Sequence, residues 1–433
     1  MNVGIEDISI YGGTACLDVM ELAKHRKLDG NRFENLLMKQ KGVALLNEDA
    51  VTFAVNAAAP MVQRLSQEEK SRIEMVITCT ESGIDFGKSL STYVHDYLGL
   101  EKSCRLFEIK QACYSGTAGY QMALNFILSG VSPGAKALVI MTDLARYTVA
   151  EGGDSLTEDW SYAEPSTGAG AVALLVSDNP KVFIADVGAN GYYGHEVMDT
   201  CRPLPDSEAG DSDLSLLSFL DCCDKSYQEY KKKVPEADYL KSFNYLSFHT
   251  PFGGMIKGAH RNMMRKQFKM EPDAIETDFR KRVEPSLVFC QQVGNIMGGT
   301  VFLALVSTIY NSDNLDAARV GIFSYGSGCC SEFYSGVFTQ YGQQYVKSLN
   351  FAQLLSQRYR LSIDEYETLL RENALVAFGT RNIQLDQELH TKFYTPSSES
   401  SSGNSPSNNV SKSSGKRLFL SKINEFHREY QWV

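Results

Sequence analysis

In IKQACYSGTAGYQMALNFILSG, residues 109–130, a short apolar run leads through Cys113 into a helical pattern. Small residues follow the cysteine, and apolar residues then recur at helical spacing from Met122 to Ile127, which predicts a buried helix. A strand-to-helix junction places the sulfur at the positive end of the helix, where thiolate is favoured and the pKa of the thiol falls. Cys113 is therefore either a nucleophile or, as is common for this residue type, a buried structural cysteine.

Two distant segments favour the nucleophile. In VITCTESGIDFGKS, residues 76–89, an apolar strand breaks into a turn that carries Glu81, and a carboxylate in such an apolar mouth suits a general base. In FNYLSFHTPFGGMIKGAHR, residues 243–261, His249 ends a strand-like alternation just before Pro251 and two glycines. Alone, these read as a loop acid and a structural histidine. Together, a cysteine, a histidine and a carboxylate at strand ends indicate a catalytic site.

Composition and charge exclude several classes of protein. The chain has 433 residues, 43% hydrophobic and 22% charged, enough for one large core or two fused smaller ones. No apolar run approaches the ~20 residues that span a bilayer, and the N-terminus reads as a strand rather than a secretory signal. Ten cysteines without CxxC or Cys/His metal spacing predict core thiols in a cytoplasmic enzyme with no metal site. With a net charge of −10, we expect no nucleic-acid partner.

Strand-like runs alternate with helical stretches along the chain, which predicts an α/β fold. The predicted strands are 9–11, 75–78, 137–141, 171–176, 244–248 and 320–324, with helices near 255–269 and over 283–310. Residues 395–416 read TPSSESSSGNSPSNNVSKSSGK. They can bury too little apolar surface to offset the conformational entropy lost on ordering, which predicts a flexible segment. The tail, 417–433, either docks onto the body or stays loosely attached.

Seven ordered motifs match one known family. They are TESGIDFGKS (80–89), ACYSGTAG (112–119), DLARY (143–147), EPSTGAGAVALLV (164–176), HTPF (249–252), GNIMGG (294–299) and YGSG (325–328). From about residue 3 to 334 the chain resembles the 3-hydroxy-3-methylglutaryl (HMG) synthase family of the thiolase superfamily. The resemblance implies a five-layered αβαβα fold of two similar halves, 1–178 and 179–394, with the active site between them. It also implies a homodimer.

The resemblance further implies an acyltransferase that forms a carbon–carbon bond. Cys113 would take an acetyl group from a thioester. Glu81 would act as the base that removes a proton from the acetyl methyl group, and later as an acid. His249 would orient the acceptor and donate a proton to its ketone oxygen; the alternative is that it activates Cys113, and one histidine could play both roles. Asn295 resembles the family asparagine that holds the acceptor carbonyl, although a turn-capping amide is the alternative. The YGSG turn would supply substrate-binding residues, namely Tyr325, Gly326 and Ser327.

Two departures bear on which carrier brings the substrates. Mevalonate-pathway members typically read HxPYxK, with a lysine that meets coenzyme A, whereas Gly254 stands at that position here. They also usually read CYGG where this chain has CYSG. Both traits resemble the synthases of polyketide β-branching, which act on acyl carrier proteins. The expected substrates are thus an acetyl donor and a β-ketoacyl acceptor, each on a phosphopantetheine arm, with coenzyme A as the alternative.

A cationic surface is the second sign of a carrier protein. We call it the basic stripe, and on a helix its residues would share one slowly drifting face. Its members are Lys257, Arg261, Arg265, Lys266 and Lys269. Because carrier proteins are acidic and this chain is acidic too, docking requires a local basic face. Met264 and Phe268 could add apolar contacts, and Arg32 is a weaker second candidate. The alternative is an ordinary solvated helix face.

Three competing functions stay open at this point. A coenzyme A-dependent HMG synthase shares all of the chemistry. A chain-elongating ketosynthase also uses cysteine and histidine, but its decarboxylating site does not call for Glu81 in a TESGID context. A non-catalytic scaffold that only holds carrier proteins is disfavoured, because all three reactive residue types are present.

Overall fold

The structure, a computed structural model, describes residues 2–146, 163–204, 207–313, 316–386, 388, 393 and 415–433, without the side chains of 31–32, 204 and 207–208. The strands are β1 Gly4–Tyr11, β2 Ala15–Asp18, β3 Gln40–Val43, β4 Ile73–Cys79, β5 Arg105–Ile109, β6 Lys136–Leu144, β7 Ala169–Ser177, β8 Phe183–Gly194, β9 Thr200–Leu204, β10 Ser207–Gly210, β11 Tyr245–Phe248, β12 Ala318–Gly326, β13 Cys330–Phe338, β14 Tyr359–Arg360, β15 Ile383–Gln384, β16 Leu418–Asn424 and β17 His427–Trp432.

The helices lie between these strands along the chain, four of them in succession between β11 and β12. They are α1 Val19–His25, α2 Gly30–Glu34, α3 Ala50–Arg64, α4 Gln67–Ser71, α5 Ser91–Tyr97, α6 Ser115–Leu128, α7 Ser212–Lys233, α8 Gly253–Phe268, α9 Pro272–Arg282, α10 Glu284–Val293, α11 Thr300–Asn311, α12 Gln340–Ser348, α13 Phe351–Ser356 and α14 Ile363–Glu372, with 3₁₀ turns at Met297–Gly299 and Asn373–Val376. None of the described helices combines the length and the hydropathy that a bilayer crossing requires.

Nine strands form one sheet in the order β11-β12-β13-β8-β1-β7-β6-β4-β5. Strands β4, β5 and β6 run parallel, as do β11 and β12, while β1 is antiparallel to both β7 and β8. The mixed α/β class that the sequence predicts is confirmed. Strand β1 joins strands from both sides of the predicted boundary at 178/179, and that boundary stays a prediction.

Alternate residues of the strands face different helical layers, as the two-residue period of a strand requires. Ile77 of β4 and Ile322 of β12 pack in one core with α6 and α11, which therefore lie between the two groups of strands. Val76 packs on the other side against α3, and Phe323 packs against α7 and α8. The nine strands thus form two layers, β5-β4-β6-β7-β1 and β8-β13-β12-β11, which the two-residue pairing of β1 with β8 joins into one sheet. The resulting order of helix, sheet layer, helix, sheet layer and helix agrees with the five-layered arrangement.

The predicted helical run over 283–310 is wrong in one detail. It divides into α10 and α11, because Gly294 adopts a positive φ of 89°. At this break the backbone N–H of Asn295 donates to Ser166 O at 2.8 Å, and Gly168 N donates to Asn295 O at 2.9 Å. The interruption thus exchanges helical hydrogen bonds for bonds to the segment before β7 and presents Asn295 to a cavity.

The C-terminal tail docks onto the body, which resolves the alternative left open by the sequence. Strands β16 and β17 form a hairpin whose Leu418 and Leu420 are buried against the α3 layer. Arg428 pairs with Asp49, the N-cap of α3, at 3.0 Å. Of the segment predicted to be flexible, 395–416, all but the last two residues lie outside the described residues.

Candidate active site

Cys113 lies in a tight junction between β5, which ends at Ile109, and α6, which begins at Ser115. Ala112 adopts a φ of +42°, so the chain turns sharply and presents the cysteine just ahead of the first turn of the helix. Gly326 packs on this junction so closely that a Cβ there would lie 2.6 Å from the Tyr114 nitrogen. A glycine is therefore required beside the cysteine turn.

Glu81 reaches the same place from the neighbouring strand. Strand β4 is parallel to β5 and ends at Cys79, so the segments that follow the two strands meet at one edge of the sheet. The Cys113 thiol donates to Glu81 Oε1 with an Sγ–O distance of 3.5 Å. The predicted proximity of the thiol and the carboxylate is therefore what the fold produces.

Two further charged residues support Glu81, and sequence reasoning assigned neither of them a role. Arg202 Nε lies 3.6 Å from Glu81 Oε2, and its Nη1 donates to the Glu81 carbonyl at 3.4 Å. Asp143 Oδ1 accepts from the backbone nitrogens of Glu81 and Ser82 at 2.8 and 3.0 Å. Burial, reinforced by the charge of Glu81, raises the pKa of Asp143 to about 7. Asp143 lies in the DLARY motif, a signal that could have found it, whereas Arg202 carries no comparable local signal.

A cavity of about 940 Å³ collects the predicted residues. Its lining includes Glu81, Cys113, His249, Asn295, Tyr325 and Ser327. Tyr325 lies near the end of β12, and the others come from the segments after β4, β5, β11, α10 and β12, so distant parts of the chain converge on one space. Arg202 also lines it, as do Asn35 and Leu36 from the segment after α2.

His249 follows β11 and is almost wholly buried. Its backbone N–H donates to Phe323 O on the neighbouring strand β12 at 2.7 Å. Among the described residues, its Nδ1 has no hydrogen-bond partner. Burial lowers the pKa of His249 to about 3, so its imidazole is neutral near neutral pH. Neutral imidazole donates a hydrogen bond readily but gives up its proton poorly.

Asn295 and Tyr325 both use one side-chain oxygen to hold the cavity wall. Asn295 Oδ1 accepts from Met297 N at 3.0 Å and from Thr300 Oγ1 at 2.8 Å, so its amino group is the end available to a ligand. The Tyr325 hydroxyl donates to Asp199 Oδ2 at 2.5 Å. The turn-capping and ligand-binding interpretations of Asn295 are thus compatible, because they use different atoms.

Four members of the basic stripe lie on α8, but Lys269 does not, because the helix ends at Phe268 and Lys269 adopts a left-handed φ of 52°. Arg261, Arg265, Lys266 and Lys269 are exposed. Lys257 pairs with Glu276 at 2.8 Å, and Lys266 pairs with the buried Asp224. These acids come from other helices and could not be found from spacing along α8. The expectation that Met264 lies on the surface beside the stripe is wrong, because its side chain is fully buried. Phe268 is half-buried, and the side chain of Arg32 lies outside the described residues.

Comparisons with known proteins give one consistent family. The N-terminal model of hydroxymethylglutaryl-coenzyme A synthase matches residues 1–181, and the C-terminal model matches 265–394. The chain is 61% identical over 433 residues to the polyketide biosynthesis 3-hydroxy-3-methylglutaryl-ACP synthase PksG of Bacillus subtilis (strain 168), covering all of both chains. It is 34% identical to the hydroxymethylglutaryl-CoA synthase of Enterococcus faecalis, over 90% of this chain and 95% of that one.

Solved structures agree with these matches. The HMG synthase of the curacin biosynthetic pathway, in complex with acetyl donor-ACP, superposes with a TM-score of 0.92 at 58% identity over all of both chains. MvaS in complex with 3-hydroxy-3-methylglutaryl coenzyme A superposes with a TM-score of 0.81 at 28% identity, covering 100% of this chain and 99% of that one. The chain therefore belongs to the hydroxymethylglutaryl-coenzyme A synthase family, whose members are acyltransferases that form carbon–carbon bonds.

Proposed function

We propose that the protein is an HMG synthase that acts on acyl carrier proteins in polyketide β-branching. An acetyl group on Cys113 would be converted to an enolate and added to a β-ketoacyl thioester held on a carrier protein. The observation that carries the chemistry is the contact of 3.5 Å between Cys113 Sγ and Glu81 Oε1, inside a cavity that His249 and Asn295 also line.

The first step is acetyl transfer to the enzyme. The Cys113 thiolate attacks the acetyl thioester carbonyl, and the pantetheine thiol leaves with a proton. The turn before α6 favours this step, because the positive end of the helix stabilises the thiolate. The backbone N–H of Cys113, with that of the YGSG turn around Gly326, is the candidate donor set for the oxyanion.

The second step is proton removal and bond formation. Glu81 takes a proton from the methyl group of acetyl-Cys113, and the enolate attacks the 3-keto carbon of the acceptor. Arg202 places a positive charge beside the Glu81 carboxylate, and Asp143 holds the turn that carries it. Water then hydrolyses the acyl-cysteine bond, which releases the new carboxylate and restores the thiol.

His249 and Asn295 would hold the acceptor ketone. Because the imidazole of His249 is neutral, it stabilises the developing alkoxide by a hydrogen bond, and Glu81, protonated in the preceding step, is the nearer source of a full proton. In this proposal His249 only positions the acceptor ketone. The proton donation that the sequence assigned to His249 is carried out by Glu81. The amino group of Asn295 donates to the same region.

The carrier is inferred from the relatives and from one packing contact. PksG is a 3-hydroxy-3-methylglutaryl-ACP synthase, and the curacin enzyme was solved with donor-ACP. At Gly254, where a mevalonate-type lysine would stand, a Cβ would lie 2.0 Å from Asn35 O. The segment after α2 thus occupies the space that a lysine side chain would need. The exposed arginines of the basic stripe, Arg261 and Arg265, would meet an acidic carrier protein.

We further infer a homodimer and a cytoplasmic location. Within the described residues β5 is an edge strand with a partner on one side only, and such an edge can pair with a second copy. All ten cysteines are free thiols, which suits a reducing compartment. Sedimentation at micromolar concentration tests the dimer, and a monomer there would remove it.

The decisive experiment compares acetyl loading of Cys113 from an acetyl-acyl carrier protein with loading from acetyl-coenzyme A, followed by intact-protein mass spectrometry. We expect faster loading from the carrier protein and none in Cys113→Ala. A clear preference for coenzyme A would return the chain to the coenzyme A-dependent alternative. Failure of iodoacetamide to label Cys113 selectively, together with no loading from either donor, would instead support a non-catalytic scaffold.

A further inference from the structure

A cluster of two thiols and an imidazole lies behind the YGSG turn, outside the catalytic cavity. The Sγ atoms of Cys222 and Cys329 are 3.4 Å apart. His195 Nδ1 lies 3.3 Å from Cys329 Sγ. Both cysteines are buried, Cys329 retaining 6% of its surface, whereas His195 is exposed. The proposed reaction uses none of the three residues.

The main chain holds this cluster in place. Cys329 N donates to His195 O at 2.8 Å, and His195 N donates to Cys329 O at 3.2 Å. Cys222 comes from α7, which packs across β8 and β13. The two thiols therefore belong to different elements, and a bond between them would tie the helix to the turn that precedes β13.

We propose that Cys222 and Cys329 form an intramolecular disulfide when the protein meets a hydroperoxide, so that the pair is a reversible oxidation site. A disulfide needs an S–S distance of about 2.05 Å, so the sulfurs must approach by about 1.4 Å, within the reach of side-chain rotation and a small backbone shift. The thiols already point at each other across that gap.

The chemistry balances in two steps. The Cys329 thiol passes its proton to His195 Nδ1, and its sulfur attacks the terminal oxygen of the hydroperoxide. The O–O bond breaks, and the leaving oxygen takes the proton, giving a sulfenic acid and an alcohol or water. The Cys222 sulfur then attacks the sulfenic sulfur, and water leaves as the S–S bond forms. Two thiols are oxidised and one peroxide is reduced.

A disulfide between Cys222 and Cys329 would alter the catalytic cavity. Next to Cys329, the Gly328 N–H donates to Asp199 Oδ1 at 2.8 Å, and the other oxygen of Asp199 accepts from Tyr325. On the Cys222 side, Phe219 of the same helix packs on Tyr325 with ring centroids 5.4 Å apart. Phe219 and Tyr325 both line the cavity, so oxidation would shift its wall and slow acetyl loading.

Peptide mapping tests the bond itself and needs no substrate. The full-length Cys113→Ala protein, which lacks the catalytic thiol, is treated with hydrogen peroxide, alkylated under denaturing conditions and digested. We expect a Cys222–Cys329 cross-linked peptide that dithiothreitol removes. It should persist in Cys330→Ser, the matched neighbour, and vanish in Cys222→Ser. Its absence, or cross-links spread equally over Cys223 and Cys330, would overturn the proposal whatever the carrier proves to be.

Acetyl loading tests the coupling to the site. Oxidised protein with Cys113 intact should load several-fold more slowly than reduced protein, and dithiothreitol should restore the rate. The same treatment of Cys222→Ser measures direct oxidation of Cys113 alone, so the loss in that variant should be smaller than in wild type or Cys330→Ser. Equal losses in all three proteins would refute the coupling.

Discussion

Replacing His249 by asparagine should make the protein less sensitive to acid. In the unfolded chain a histidine titrates near pH 6.5, whereas burial lowers the pKa of folded His249 to about 3. Between these two pKa values, His249 is protonated in the unfolded state but stays neutral in the folded state. The contribution of His249 to stability is therefore fully present above about pH 6.5 and is lost progressively as the pH falls toward 3.

The size of the effect follows from the separation of the two pKa values. One pH unit corresponds to about 1.4 kcal/mol, so at about pH 5 the unfolded chain gains roughly 2 kcal/mol from protonation of this one residue. Asparagine keeps a polar side chain in the pocket but takes up no proton. All other titrating groups are shared by the two proteins, so they cancel in the difference.

The assay is urea unfolding of wild type and His249→Asn at about pH 7.5 and about pH 5. Between these pH values wild type should lose about 2 kcal/mol more free energy of unfolding than the variant. Ser327→Ala, a non-titrating change in the same cavity, should lose as much as wild type. A difference between wild type and His249→Asn below about 0.5 kcal/mol, the usual non-additivity, would refute a buried neutral imidazole.

Three further outcomes are expected. Glu81→Gln should still take up acetyl but lose condensation, whereas Cys113→Ala should lose acetyl uptake itself; intact mass separates the steps, and an unlabelled Glu81→Gln would contradict a base that acts after loading. Charge reversal at the two exposed arginines of the basic stripe should weaken binding of the carrier protein and leave loading from a small pantetheine thioester unchanged, because only docking is touched; equal loss with both donors would argue against docking. Gly254→Ala should destabilise the protein by about 1–3 kcal/mol in urea unfolding, because the added Cβ would clash with backbone atoms. Gly258→Ala on the same helix, where a Cβ would have open space, should be neutral or stabilising. Equal effects of the two substitutions would refute the clash.

The residues proposed to be catalytic were predictable to different degrees. Cys113, Glu81 and His249 each follow a strand and have small or turn-forming residues nearby. This local pattern is visible in the sequence alone. Asn295 was indicated only by family resemblance, because its placement depends on the break between α10 and α11. Arg202 was missed, since its ion pair with Glu81 joins segments 121 residues apart.

The surfaces were the least predictable feature. The sequence placed four of the five members of the basic stripe on one helix correctly, but it could not show that Glu276 and Asp224 pair with two of them. Met264 falls beside the stripe in the sequence and was expected as an apolar contact at the rim of the interface, yet its side chain is buried on the inner face of α8. Ion pairs and burial on the inner face of a helix are set by whichever element packs there.

The α/β class and the strand-to-helix turn that presents Cys113 follow from local periodicity and turn chemistry, and so does the choice of Glu81 and His249 as candidate partners of the thiol. Which groups touch, by contrast, depends on how distant elements pack. The 3.5 Å contact of Cys113 with Glu81 and the 3.4 Å approach of Cys222 to Cys329 both join separate elements. The lowered pKa of His249 likewise arises from burial by neighbours far along the chain. Such distances follow from how layers pack, which is a sum over many weak contacts that no short stretch of sequence contains.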